Sequence, residues 1–278
     1  MFPDGTPGSA ITSCCVDLYQ SEWARSLLGE SLHPGGLLLT EHLGELLALG
    51  PGVRVLDVAA GNGASAVYLV ERFGCQVTGV DFGAQNARAG ARKAAGAAPG
   101  VALGERLQFV QADGERLPFQ DSAFDALICE CSYCTFPNKA AAAREFARVL
   151  RPGGALGVTD VTIAGPLPES LRSLLAWAAC LADAQRAGDY VRQFKGAGFT
   201  VTAVEDHSRL LKSLVQEVRP KLLGLVVLAK LGKLSLPDDV LQEAKYLARS
   251  AADAVESGLL SYGLFIGMKL KGRAGQSG

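Results

Sequence analysis

The chain reads as an α/β domain in which a seven-stranded, mostly parallel sheet carries helices on both faces. Three observations predict it. First, the apolar stretch Val53–Val58 runs into Ala59-Ala60-Gly61-Asn62-Gly63 and then a helix beginning near Ala64. Gly61 and Gly63 permit positive φ, so a ligand can approach the turn and the amides of the helix start. Second, Gln76-Val77-Thr78-Gly79-Val80-Asp81 is again β-branched and apolar, and it ends in a carboxylate. An acid at that distance from the first turn is placed to grip ribose hydroxyls in doubly wound folds. Third, strand-like and helix-like stretches alternate regularly through residue 206, the pattern of a sheet built from parallel crossovers.

Taken in order, residues 1–50 read as a tail and a helical lid. Tyr19, Trp23 and Leu27 recur every fourth position and define one face of a helix over 16–28. His33-Pro34-Gly35-Gly36 is a turn, and Thr40 caps a second helix that runs to Leu49. The core spans 51–207. After the first strand come a helix over 64–73, the second strand, a helix from Ala84 to about Ala97 and a strand over Leu107–Gln111. A strand from Ala126 to about Cys131, a helix over 139–150, a strand over 155–160, a helix over 168–187 and a strand over Thr200–Glu205 complete it. Residues 208–257 are helix-like, with breaks expected at Pro220 and Pro237, and form an insertion before a last strand over Tyr262–Leu270 within 258–278.

With Asp57 on the first strand, Gly61 and Gly63 in the turn, Asp81 ending the second strand and Asp113-Gly114 after the third, the chain resembles the class I S-adenosylmethionine (SAM) methyltransferases, a Rossmann-like fold. Leu150-Arg151-Pro152-Gly153-Gly154 adds to the resemblance, and Ala59 departs from it where that family has a first glycine. The resemblance implies SAM as cofactor. Asp57, Gly61, Asn62 and Gly63 would shape its methionine end, Asp81 and Phe82 its ribose side, Asp113 and Gly114 its adenine, with Glu130 beside them.

Ligands of an open parallel sheet bind beyond the carboxyl ends of its strands. The fourth strand ends in Cys129-Glu130-Cys131, where the two-residue period puts Cys129 and Cys131 on one face and Glu130 on the other. Cys129 reads as a core residue and Cys131 as the neighbour of the reacting group. Together with Cys14-Cys15 and Cys180-Leu181-Ala182-Asp183-Ala184, Cys131 resembles the cysteine set of the arsenite SAM-methyltransferases. That implies a metalloid substrate, trivalent arsenic, held by Cys131 and Cys180, with Cys14 or Cys15 as third ligand or the pair as reductant through a disulfide, reset by a cellular thiol. Trivalent arsenic is soft and prefers sulfur to oxygen ligands. Each cysteine is expected to bind as a thiolate. Glu130 stands where that family has asparagine, and Cys134 has no counterpart.

Two other readings compete. An ordinary methyltransferase of a small organic metabolite needs a base, for which Glu130, His33 and His207 are the candidates. Alternatively, Cys131-Ser132-Tyr133-Cys134 with Cys14 and Cys15 could hold zinc in a SAM-binding regulator, although adjacent cysteines diverge and make poor zinc ligands. Composition narrows the field. A net charge of −1 and a pI near 6.3 give no reason to expect nucleic acid or an anionic membrane. The polar start Phe2-Pro3-Asp4-Gly5 and the short apolar run Leu222–Leu228 lead to the expectation of a cytoplasmic chain with neither leader nor span. Seven cysteines in such a chain point to free or ligating thiols. Oligomeric state stays open.

Overall fold

A computed structural model of the chain describes residues 33–95, 103–173, 176, 180–181, 183–230 and 238–271. In chain order the elements are α1 (Gly36–Leu46), β1 (Arg54–Val58), α2 (Ala64–Phe73), β2 (Gln76–Asp81), α3 (Ala84–Ala95), the single turn α4 (Leu103–Arg106) and β3 (Leu107–Gln111). They continue with β4 (Phe124–Glu130), α5 (Lys139–Val149), β5 (Leu150–Ile163), α6 (Ala187–Gly196), β6 (Phe199–Asp206), α7 (Ser208–Lys230), α8 (Asp238–Glu256) and β7 (Leu260–Lys269). One seven-stranded sheet orders them β3-β2-β1-β4-β5-β7-β6. Every pairing is parallel except the two made by β7, which runs antiparallel to both β5 and β6. β6 therefore points the same way as β1–β5, and its carboxyl end lies at the same edge as theirs.

The strands are apolar because both faces are covered. On one face Leu43 of α1 and Leu47, just past its end, close over Gly157 of β5, where a Cβ would sit 2.6 Å from Leu43. On the other, Tyr133, Phe146, Tyr190, Phe194 and Phe265 form a fully buried aromatic group. Tyr190 and Phe265 stack at 5.0 Å, the offset geometry that ring quadrupoles favour.

Four expectations need correction. Thr40 does not cap α1: the helix begins four residues earlier at Gly36, and Thr40 lies inside it with its hydroxyl turned to Glu130. The helix expected over 168–187 is not continuous. A 3₁₀ turn occupies Glu169–Leu171, Cys180 takes φ 61, and the next helix, α6, starts at Ala187. Pro220 does not break α7, which runs through it. β5 is far longer than expected, because its antiparallel ladder with β7 continues to Ile163. Cys14, Cys15, the helix over 16–28 and Pro237 lie outside the described residues. Among the described helices none is long and apolar enough to cross a membrane.

Candidate functional site

At the carboxyl edge of the sheet the β1 turn is built by backbone donors. Gly61 donates its N–H to Asp81 Oδ2 at 2.9 Å, and Gly83 donates to Asp81 Oδ1 at 2.8 Å, with Asn86 adding a side-chain bond at 3.2 Å. These bonds fix the acid at the end of β2 against the β1 turn. A carboxylate accepts about four hydrogen bonds, so one acceptor position is left for a ligand hydroxyl. Ala59, which replaces a glycine of the family motif, takes φ 60. The left-handed turn forms anyway, at a cost of about 1 kcal/mol for its Cβ.

Gly63 takes the positive φ expected of it and also makes room for a ring. Its φ is 80, and a Cβ there would lie 2.5 Å from the Phe109 ring. The same ring fills the space beside Gly79 and Gly90. Gly63 thus admits an aromatic plug between α2, α3 and β3. Asn62 accepts the N–H of Ala64 at 3.0 Å and Lys93 Nζ at 3.3 Å, holding the start of α2. Phe82 presents a ring 41% exposed beside Asp81. Asp113 is exposed and accepts the N–H of Glu115, while Gly114 is buried with its Cβ space taken by Phe136.

Asp57 carries the strongest electrostatic signal. It is buried, and its Oδ2 has no hydrogen-bond partner among the described residues. Burial, and then the nearby Glu130 and Asp81, push its carboxyl well above the ordinary range. A buried acid left unpaired among like charges is costly unless a cation arrives. SAM is such a ligand, with a sulfonium and an ammonium, and it also offers ribose hydroxyls for Asp81. The donor set fits it.

Glu130 closes β4 and is held by groups the sequence did not reveal. Thr40 donates to both its oxygens, at 3.0 and 3.1 Å, and is itself 3.3 Å from Ser65 Oγ. His33, expected as a turn residue, is buried with Nε2 3.6 Å from Glu130 Oε2. Threonine and serine at interior helical positions carry no sequence signal for such a role.

Beyond Glu130 the strand alternation fails. Cys131 takes φ 50, which turns it away from the face that holds Cys129. Cys129 lies in the aromatic core, whereas Cys131, Cys134 and Cys180 join the cluster under α1, α7 and α8. The Cys180 thiol donates to the Cys131 carbonyl at 2.8 Å, and the sulfurs of both lie within 4.8 Å of each other and of an Asp160 oxygen. Cys180 is held there by its own left-handed turn and by the ion pair of Lys139 with Asp183, three residues on. Asp160 accepts the N–H of Cys134 at 2.6 Å and of Val161 at 2.8 Å. Even so, burial and then Cys180 raise its carboxyl to about 7.

Burial and the neighbouring groups raise the Cys131 and Cys134 thiols. The Cys131 thiol is pushed well up, first by its hydrogen bond with Cys180 and then by burial; Cys134 is pushed up by burial and then by Cys180.

A methyltransferase-domain family model matches residues 56–158, the stretch from β1 to the middle of β5. Among solved structures, the [4+2]-cyclase SpnF superposes with a TM-score of 0.77 at 24% identity, over 96% of this chain and 98% of that one. This is the class I methyltransferase fold. Among curated relatives of the methyltransferase domain, methyltransferase GfsG of Streptomyces halstedii is 30% identical over 60% of this chain and 64% of its own. The sarcosine/dimethylglycine N-methyltransferase of Halorhodospira halochloris is 30% identical over 63% and 61%. The chain spans less than two thirds of the length of these relatives.

Proposed function

We propose that this chain is a SAM-dependent methyltransferase whose acceptor is trivalent arsenic, as arsenite or methylarsenite, held on sulfur. The observation that carries the reading is the convergence of Cys131 and Cys180, 49 residues apart, at the end of β4. SAM, when bound, supplies an electrophilic methyl group, which an arsenic lone pair accepts without a general base.

The residues would divide the work as follows. Asp57 and Glu130 offset the cofactor's positive charge, Asp81 takes ribose, and Gly61 lets the cofactor lie against the turn. Thr40 and Ser65 keep Glu130 in place. Cys131 and Cys180 hold the arsenic, with Cys134 or one of Cys14 and Cys15 as third sulfur. With the Cys131 and Cys134 thiols raised, ligation proceeds by exchange: each S–H proton leaves with an arsenic-bound hydroxide as water. Holding nucleophile and methyl about 3 Å apart then supplies much of the acceleration. Methylation raises arsenic by two oxidation units, so a cellular thiol pair returns it to the trivalent state and becomes a disulfide.

A second reading, methylation of a small organic acceptor, is favoured by the buried His33–Glu130 contact, which could serve as a base pair, and by the sarcosine/dimethylglycine relative. Incubation with arsenite, SAM and glutathione, followed by arsenic speciation, separates the two. Methylated arsenic from the parent chain, and none from Cys131→Ser, supports the metalloid reading. SAM binding without any methylated arsenic sinks it in favour of the organic one.

A further inference from the structure

The chain has three histidines, and two of them meet on one carboxylate, Glu205. His42 Nε2 lies 2.8 Å from Glu205 Oε2, and His207 Nε2 lies 2.9 Å from the same oxygen. One ligand atom from each of the three residues falls within 4.8 Å of the others. The rings are tilted by 58° with centroids 5.7 Å apart, so they do not stack but splay from a shared apex.

The backbone holds this apex from two sides. Glu205 lies in β6 and His207 is the first residue past its end, and His207 reaches the same Glu205 oxygen as His42. His207 stays tied to β7 through its N–H to the Tyr262 carbonyl at 2.8 Å. Asp206, between them, turns away and caps α7 through the Ser208 N–H at 2.9 Å. His42 comes from α1, whose position is set independently by Leu43 over Gly157 and by Thr40 on Glu130. Ligands fixed by such rigid elements converge at little entropic cost.

We propose that His42, Glu205 and His207 form a binding site for a divalent transition-metal ion, zinc in the first instance. Two imidazoles and one carboxylate are the His₂Glu donor set that zinc takes when it keeps a fourth position open. The side chains are 20–38% exposed, so water reaches that fourth position. Zinc–ligand bonds of about 2.0–2.2 Å put tetrahedral ligand atoms roughly 3.4 Å apart. The present nitrogen–oxygen distances need open by only about half an ångström, as the ion replaces the ring protons. The bound ion staples α1 to the end of β6, and α1 is the helix that carries Thr40 to Glu130. This site is independent of which acceptor the enzyme methylates.

The rival is a plain hydrogen-bonded clamp, and Glu205→Gln tells them apart because a neutral amide keeps an acceptor for the imidazoles while weakening a metal. The full chain, stripped with chelator, is titrated with zinc by calorimetry and with cobalt(II) by visible absorption. Circular dichroism and the thermal midpoint of every variant in chelator confirm that it is folded. One ion per chain is expected at this site, with affinity falling at least about tenfold in each of His42→Ala, Glu205→Gln and His207→Ala. Its cobalt bands are expected to survive Cys131→Ser. The proposal is overturned if the parent shows no saturable binding, or if binding is unchanged in the three variants.

Discussion

Two groups at the carboxyl edge of the sheet, the carboxylates around Asp57 and the thiols around Cys131, solve the same problem in opposite ways. Asp57, Asp81 and Glu130 crowd like charges together and leave Asp57 Oδ2 without a partner among the described residues, so this half is complete only with a cation in it. Cys131, Cys134 and Cys180 bond to one another and to a backbone carbonyl, and the Cys131 and Cys134 thiols are raised, so this half is already satisfied. The difference teaches that a site can be primed by frustration on one side and by self-sufficiency on the other.

The largest effect tests the thiol half. Cys180→Ser is expected to reduce arsenic methylation below detection while SAM binding stays within about twofold of the parent, read by speciation and calorimetry. Retained arsenic methylation would break the proposed ligand set. Next comes pH. Burial raises Asp160 to about 7 from an unfolded value near 3.8, so the folded chain holds a proton there that the unfolded chain has lost. That contribution is full below pH 4 and is lost as pH rises toward 7, by at most ~4 kcal/mol. Asp160→Asn should remove this fall, so that the stability difference from the parent changes with pH between 4 and 7 in denaturant titrations. A flat difference would mean that Asp160 titrates normally.

A smaller and opposite pair of effects sharpens the carboxylate half. Asp57→Asn relieves like-charge crowding in the free chain and is expected to raise its thermal midpoint, while SAM affinity drops about tenfold, ~1.4 kcal/mol. Loss of both stability and affinity would assign Asp57 a structural role. The smallest effect is at the turn. Ala59→Gly removes a Cβ from a left-handed backbone, worth about 1 kcal/mol, less the extra freedom glycine gives the unfolded chain. A net gain of roughly 0.5 kcal/mol is expected in equilibrium unfolding.

What the sequence showed and what it hid follow the range of the interactions. The strands and α2 were readable because buried parallel strands are continuous apolar runs and α2 has a clean amphipathic period. Gly61 and Asp81 were readable because the turn and the acid are twenty residues apart in one βαβ unit. Thr40, Ser65 and His33 were not, since their tie to Glu130 depends on how α1 and α2 settle on the sheet. The rotation of Cys131 away from Cys129 was hidden for another reason: alternation holds only inside a strand, and Cys131 is the first residue past its end with φ 50. The turn at Cys180 was hidden because its apolar surroundings read as one long helix.

The Phe109 ring, wedged where Gly63, Gly79 and Gly90 have no side chains, binds three positions on separate elements into a single unit of change. None of the three can gain even a methyl while the ring remains, and shrinking the ring alone would open a void between β2 and α3. Drift at this corner must therefore proceed by paired exchanges, a smaller residue at 109 matched by a larger one opposite. Any redesign that reshapes the neighbouring turn inherits the same coupling.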